Sequence, residues 1–82
     1  SEWTKEQVAD WLMKHDLPQM RELLKDCDGR GLLYLNHYLK YGDLKLILKS
    51  LHEDAVQRTG RSLSFIELAR FQSILNERKR SS

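Results

Sequence analysis

Apolar residues recur at spacings of three and four along this chain, and clusters of turn-forming residues interrupt them. That spacing puts apolar side chains on one face of an α-helix, because a helix has about 3.6 residues per turn. No segment shows the two-residue alternation of a half-buried strand, and no repeat of solenoid length is present. The pattern therefore predicts an all-α fold of five amphipathic helices joined by short links.

The first two helices have clear start signals. Thr4 and Gln7 have the spacing of a capping box, which predicts a helix over about residues 5–15. Pro18 suits the first position of a second helix, because its φ is fixed and it has no N–H to lose there. The apolar faces expected for these two helices comprise Val8, Trp11, Leu12 and His15 in the first and Met20, Leu23, Leu24 and Cys27 in the second.

Glycine-containing turns delimit the remaining helices. The stretch 26–31 ends the second helix and leads into a short third one, from Leu32 to about Tyr38. Asp43 is placed to cap a fourth helix, which runs to about residue 57. The turn 59–62 then opens a long fifth helix to about residue 78. The expected apolar faces comprise Leu44, Ile47, Leu48, Leu51 and Ala55 in the fourth helix and Leu63, Ile66, Leu68, Phe71, Ile74 and Leu75, with Ala69 or Arg70, in the fifth.

Length and composition are those of one small globular domain. The chain has 82 residues, of which 40% are hydrophobic and 32% charged. A chain of this length buries enough surface for one modest core and has no room for two. We therefore expect a single domain over residues 1–82, with its core in about residues 3–77 and a basic tail at 78–82.

Charge is unevenly distributed along the chain. Residues 1–56 carry ten acids and eight bases, whereas residues 57–82 carry two acids and six bases. The total of +2 is too small to indicate nucleic-acid binding by itself. The single cysteine cannot form an internal disulfide, and neither a membrane-spanning run nor a signal peptide is seen, which together favour a cytoplasmic or nuclear location.

The sequence offers no constellation for catalysis or for a cofactor. His15, His37 and His52 lack the spacing of a zinc site, and His15 and Cys27 fall on apolar helix faces where inert, partly buried side chains are usual. The G-x-G at residues 29–31 lacks the strand and helix of a phosphate-binding loop. The aromatic residues at helical spacing are expected to be core rather than a stacking platform: Trp3, Trp11, Phe65 and Phe71.

Residues 3–35 resemble the sterile alpha motif (SAM) family. Residues 3–12 read W-T-K-E-Q-V-A-D-W-L and are similar to the family's opening, W-S/T-x-E-x-V-x-x-W-L. Residues 17–20 resemble its start of helix 2, and residues 28–35, D-G-R-G-L-L-Y-L, resemble its D-G-x-x-L-L-x-L stretch. The resemblance implies a five-helix bundle with a long C-terminal helix and the function of a non-enzymatic interaction module.

The resemblance is weaker in the second half of the chain. Residues 42–57 are longer than the family's usual short fourth helix and lack its L-G-I turn, and Gly60-Arg61 resembles the family's G-H-R only loosely. Residues 41–57 are therefore a second candidate for the binding surface.

The resemblance also implies how the module binds. In SAM domains generally, the acidic middle of one module docks on the start of the final helix of another, which gives head-to-tail dimers or polymers. The implied partner is a second copy, another SAM domain, or a signalling or scaffold protein, and Tyr41 and Leu46 could supply an apolar centre. The candidate protein-binding residues are Arg58, Gly60, Arg61 and Ser62 in the basic half and Asp26, Asp28, Asp43, Glu53 and Asp54 in the acidic half.

Three alternatives remain open at this stage. The same charges could be ordinary solvated surface groups. Some SAM domains bind RNA hairpins through basic groups at the start of the final helix, and here Arg58, Arg61 and Arg70 with the basic tail would make those contacts. The tail, Arg78-Lys79-Arg80, could also give peripheral attachment to an anionic membrane, although three charges add only about 1 kcal/mol each.

Overall fold

The computed structural model describes residues 2–81, and within residues 78–81 it describes the backbone only. No strand occurs in this described part, which confirms the all-α prediction. The elements in chain order are α1 Lys5–Lys14, α2 Pro18–Leu23, α3 Gly29–Tyr41, α4 Leu44–Thr59 and α5 Phe65–Ser81.

Three helix starts follow the predicted capping signals. The Gln7 N–H donates to Thr4 Oγ1 (3.2 Å), and the Thr4 N–H donates to Gln7 Oε1 (2.9 Å), which completes the capping box of α1. Pro18 is at the first position of α2. The Leu46 N–H donates to Asp43 Oδ1 (3.4 Å) at the start of α4. Each signal acts within one helical turn, so the sequence alone is enough to predict it.

The end of α1 uses a left-handed residue that is not glycine. Asp16 has φ 57°, and its N–H donates to the Met13 carbonyl at 3.0 Å. The Leu17 N–H donates to the Leu12 carbonyl, also at 3.0 Å, which satisfies two carbonyls that a helix end otherwise leaves unpaired. Leu12 and Leu17 are both buried, so this turn brings the end of α1 directly into the core.

Helix α3 is longer than predicted at both ends. It begins at Gly29, inside the stretch predicted as a turn, because the Gly31 N–H donates to Asp28 Oδ1 at 3.0 Å and makes Asp28 the cap. It ends at Tyr41 rather than Tyr38. The prediction was wrong here because it assigned both glycines to the turn, whereas they form the first turn of the helix.

Helix α5 begins later than predicted. The Glu67 N–H donates to Ser64 Oγ (3.2 Å), so Ser64 caps the helix and Phe65 is its first residue, rather than Ser62. The helix also continues past residue 78 to Ser81. Residues 61–64 therefore form a link between α4 and α5 rather than the first turn of the final helix.

All five helices contribute side chains to a single core, and the link residue Leu17 joins them. Trp3, Trp11, Leu24, Cys27, Leu35, Ile47, Leu48, Leu63 and Ile74 pack around it partly buried. The fully or nearly fully buried apolar residues are Val8, Leu12, Leu17, Met20, Leu23, Leu32, Leu39, Leu51, Ala55, Leu68, Phe71 and Leu75.

Two residues predicted for the core of α5 are exposed. Phe65 is 74% exposed and Ile66 is 68% exposed. The buried face of α5 is formed instead by Leu68, Phe71 and Leu75, which recur at i, i+3 and i+7. Helical spacing puts Ile66 about half a turn from that face. The predicted apolar band was therefore too wide.

The apolar face of α4 is also narrower than predicted. Leu51 and Ala55 are buried, and Ile47 and Leu48 are partly buried. Leu44 is about half exposed, because it lies in the first turn, where the helix has only just reached the bundle.

The segment before α1 packs against the start of α3. The Gly29 N–H donates to the Trp3 carbonyl (2.8 Å), and a Cβ on Gly29 would lie 2.5 Å from the Trp3 nitrogen, so only glycine fits. Trp11 lies edge-on to Trp3 (ring centroids 5.6 Å apart) and to Phe71 (6.4 Å). His15 is partly buried with its ring against Trp11, as predicted. Three of the four aromatic residues predicted to pack in the interior therefore do so.

Candidate interaction surfaces

The start of α5 is attached to α2 through side chains of both helices. Gln19 Nε2 donates to the Ser62 carbonyl (2.7 Å), and the Ser64 N–H donates to Gln19 Oε1 (2.7 Å). In return, the N–H groups of Gln19 and Met20 donate to the two carboxylate oxygens of Glu67, at 3.3 and 3.0 Å. These bonds fix the 61–64 link in one position relative to α2.

The reason for this arrangement lies in the sequence of α2. Leu17 precedes that helix and has no side-chain oxygen to accept its first amides. Glu67 supplies the missing acceptor from α5, and a carboxylate is favoured at a helix N-terminus by the helix dipole. Glu67 and Gln19 are both buried, so the bonds are shielded from water.

The exposed residues at this end form what we call the α5-start surface: Arg61, Ser62, Phe65 and Ile66. Gly60 has φ 73° and reverses the chain at the end of α4, and apart from its chain neighbours no described atom lies within 4 Å of a Cβ placed there. Among the side chains that the structure describes, Arg61 forms no ion pair. The surface thus combines an available guanidinium with two large apolar side chains.

Two of the predicted binding residues pair with each other. Arg58, from the predicted basic half, lies 3.2 Å from Asp26, from the predicted acidic half. Both side chains are substantially exposed, and a pair of this kind stabilises a fold by only about 0 to 1 kcal/mol. Arg58 and Asp26 therefore already neutralise one another within one molecule.

The predicted acidic residues have two different local roles. Asp28 and Asp43 cap α3 and α4 with their side chains. Glu53 and Asp54 are exposed on α4, and neither forms an ion pair with any described side chain. Of the five predicted acidic residues, Glu53 and Asp54 are thus the two that are exposed and neither cap a helix nor pair with a described side chain.

Asp54 borders a shallow groove between α3 and α4. The groove encloses about 310 Å³, and Leu46 (61% exposed) and Tyr38 (about half exposed) form its apolar wall. We call Glu53, Asp54, Leu46 and Tyr38 the α4 acidic surface. Its groove is lined by Leu35, Tyr38, Leu46, Ile47, Ser50, Leu51 and Asp54.

Sequence reasoning missed part of both surfaces. It placed Phe65 and Ile66 in the core, and it did not include Tyr38 in the candidate binding set. Leu46 was expected to be a possible apolar centre, and it is exposed as required. The sequence contained enough information to predict that Ile66 is exposed. At about 3.6 residues per turn, Ile66 lies on the opposite side of the helix from Leu68, Phe71 and Leu75.

A family model decides what kind of module carries these surfaces. The model described as SAM domain (sterile alpha motif) matches residues 1–53, which is more than half of the 82-residue chain. The chain belongs to the SAM family. No curated protein and no solved structure matches it. SAM domains are typically non-catalytic modules that bind other proteins, including other SAM domains.

The match divides this SAM domain within α4. The matched residues include α1 to α3 and Glu53, whereas Asp54 and the whole α5-start surface lie beyond residue 53. The family match therefore supports the fold, whereas the α5-start surface belongs to the part of the chain that the match does not cover.

Other basic residues of the SAM domain are committed elsewhere. Arg70 donates from Nη2 to the His15 carbonyl (2.8 Å) and from Nη1 to the Asp16 carbonyl (3.4 Å). Its cation therefore stabilises the C-terminus of α1, where the dipole is negative. The side chains of the predicted tail, Arg78-Lys79-Arg80, lie outside the described residues.

The single cysteine of the SAM domain is not activated as a nucleophile. Burial raises the pKa of the Cys27 thiol, and the adjacent Asp28 carboxylate raises it further. Within residues 2–81 no cluster of histidine, cysteine and acidic side chains is arranged to hold a metal ion. Over the same residues, no helix has the length and apolar composition needed to cross a bilayer.

Proposed function

We propose that this SAM domain is a non-catalytic protein-interaction module that associates head to tail with a second copy or with another SAM domain. The α5-start surface of one module docks on the α4 acidic surface of the next. The observation that carries the proposal is the exposure of Phe65 and Ile66 beside Arg61, which forms no ion pair with any side chain that the structure describes. Large apolar side chains flanked by an available charge are what protein interfaces have at their centre and rim.

The second surface has complementary properties. Glu53 and Asp54, which pair with no described side chain, offer carboxylates to Arg61 of a neighbouring module, and Leu46 and Tyr38 offer an apolar wall to its Phe65. The N-terminal amides of α5 add partial positive charge to the approaching surface. Charge complementarity of this kind sets the rate and register of association more than its affinity, so association should weaken with salt.

The geometry of the contact has a consequence for assembly. The two surfaces are different, so the contact is heterologous and extends into a filament unless one half is blocked. We further propose that residues 1–82 act as one domain, that the module serves in signalling or scaffolding, and that it works in the cytoplasm or nucleus.

The experiment is a complementation test by size-exclusion chromatography with light scattering at low and high salt. Arg61→Glu and Asp54→Lys should each weaken self-association, and mixing the two variants should give a dimer that cannot extend, because each keeps one intact half. Asp28→Lys is unsuitable here, because it removes the cap of α3. If both variants associate like the parent protein, the contact lies elsewhere.

Matched controls come from exposed charges outside both surfaces. Arg21→Glu and Glu22→Lys in α2 make the same charge changes at exposed positions. They should leave association unchanged. Phe65→Ser should weaken association without changing the charge, and this separates an apolar contact from a general electrostatic effect.

RNA binding at the start of α5 is the alternative function. Two of the three arginines expected to contact RNA there already have partners within the domain. Arg58 pairs with Asp26 and Arg70 with the end of α1, so Arg61 is the remaining described cation of the three. We expect hairpin RNA to bind weakly and without selectivity at near-physiological salt. A tight, sequence-selective complex abolished by Arg61→Ala would reverse this ranking.

A further inference from the structure

The outer face of α3 carries an exposed row of rings that the head-to-tail proposal does not use. Tyr34, His37 and Tyr41 follow Arg30 at i+4, i+7 and i+11, which places all four on one stripe of the helix. Tyr41 is 71% exposed, and Tyr34 is more than half exposed. Three exposed turns of mainly aromatic residues are unusual on a small soluble domain, where helix exteriors are normally charged or polar.

The rings of this face are in mutual contact. His37 lies 5.0 Å from Tyr41 between centroids, and Tyr38, at the border of the α3–α4 groove, stacks on Tyr34 at 6.4 Å. Tyrosine side chains have only two flexible torsions, so ordering them on binding costs little entropy. The rings therefore form an ordered aromatic strip of roughly 10 Å from Tyr34 to Tyr41, and the stripe reaches roughly 16 Å when Arg30 is included, at about 1.5 Å of rise per residue.

Arg30 is the cation of this stripe, and Lys40 lies about a quarter turn away from it on α3. Residues 29–42 contain Arg30 and Lys40 and no aspartate or glutamate. The phenol hydroxyls can donate hydrogen bonds, and an imidazole carries a donor in either protonation state. Arg30 pairs with Glu2 at 3.4 Å, but both are exposed and such a pair is weak. A partner rich in carboxylates satisfies this set of donors.

We propose that the outer face of α3 is a second docking surface, which binds an acidic, partly apolar segment of a partner protein about three helical turns long. An acidic segment is the expected partner because its carboxylates would pair with the donors and cations of α3. In a two-fold contact between the α3 faces of two copies, neither helix would offer a carboxylate to the donors of the other, because residues 29–42 contain none. A nucleic acid is favoured less, because the rings contact one another in pairs along the helix and few cations are present to neutralise phosphates.

The proposal is independent of the head-to-tail association. The α3 face shares only Tyr38, at its border, with the α4 acidic surface, and it shares no residue with the α5-start surface. One module could therefore hold a neighbouring copy and recruit an acidic partner segment at the same time.

The test is a selection of random 16-residue peptides displayed on phage against the parent protein, after removal of peptides that also bind a Tyr34→Ser/Tyr41→Ser variant. Both tyrosines are exposed, so the variant should stay folded, as its circular dichroism and melting temperature will report. We expect the selected peptides to carry net negative charge with apolar residues at helical spacing. Synthetic copies should shift the amide NMR signals of α3, lose at least tenfold in affinity for the tyrosine variant, and bind more weakly as salt rises.

Several outcomes would overturn the proposal. These are a lack of enrichment, selected peptides that are neutral or basic, and selected peptides whose binding is lost in Arg61→Glu, which would place them on the α5-start surface. Tyrosine-dependent binding of oligouridine or of phosphatidylserine vesicles that is tighter than peptide binding would assign the face to nucleic acid or membrane instead. Val56→Ser, another exposed apolar position, is the control and should retain peptide binding.

Discussion

Gln19 and Glu67, 48 positions apart in the chain, exchange capping groups between α2 and α5. The Ser64 side chain caps α5 as the first residue of a capping box, but the box is not closed locally. Glu67, its expected second member, turns to the amides of α2, and Gln19 takes its place at the Ser64 N–H. The start of each helix therefore depends on the other, and the α5-start surface depends on both.

Removing the Glu67 carboxylate should destabilise the whole domain. Glu67→Ala leaves two buried amides of α2 without their acceptor, and we expect a loss of about 2 to 4 kcal/mol in the free energy of unfolding. Glu67→Gln keeps one acceptor oxygen and should cost less. Urea unfolding measures both, with Glu53→Ala as an exposed control expected to change little.

The two capping residues should also be energetically coupled. In a double-mutant cycle, Gln19→Ala and Glu67→Ala together should cost less than the sum of the single changes, because either one alone already loosens the contact between the helices. Additive costs within about 0.3 kcal/mol would show that the two caps act separately.

Replacing the left-handed residue at the end of α1 with glycine should stabilise the protein. Asp16 adopts φ 57° without being glycine, so Asp16→Gly should raise stability by a few tenths to about 1 kcal/mol. Asp16→Val should lower it, because a β-branched side chain is strained at positive φ. Thermal melting distinguishes the two. Equal melting temperatures would mean that the turn relaxes away from the left-handed conformation.

A methyl group on Gly29 should displace the N-terminal segment. Gly29→Ala puts a Cβ within 2.5 Å of the Trp3 backbone, which cannot rotate away, and we expect a cost of about 1 to 3 kcal/mol. The added Cβ of Gly31→Ala instead meets the Cys27 side chain at 2.8 Å, which can move. Gly31→Ala is therefore the matched control and should cost less. Tryptophan fluorescence should change for Gly29→Ala, and an unchanged spectrum would contradict the packing.

The Cys27 thiol should react slowly in the native protein. Its pKa is raised in the folded state by burial and by Asp28, so the proton is held more tightly in the folded chain than in the unfolded one. The resulting stabilisation is complete below the pKa of the thiol in the unfolded chain and is lost as pH rises through the higher pKa of the folded state. Iodoacetamide alkylation should reach its half-maximal rate at a higher pH in native protein than in urea. If alkylation of the native protein reached half its maximal rate at a lower pH than in urea, burial and Asp28 would not be raising the pKa of the Cys27 thiol.

Local chemistry made much of the fold predictable from sequence. The capping box at Thr4, the proline that starts α2 and the cap at Asp43 each act within a single turn, so neighbouring residues suffice to specify them. The same is true of the apolar stripes of α1 and α2. Gly29 and Gly31 fit either a turn or the first turn of a helix, so the sequence left the start of α3 uncertain by one turn.

Contacts between distant helices were decided only by the tertiary structure. Helical spacing limits which residues of α5 can share a face, but the packing of the bundle decides that Leu68 and Phe71 are covered while Phe65 and Ile66 remain exposed. The pairing of Arg58 with Asp26 and the capping of α2 by Glu67 likewise depend on how helices approach one another. A sequence pattern specifies the face that a helix can bury, whereas the neighbour that covers this face, and the charges that remain free, are properties of the packed bundle.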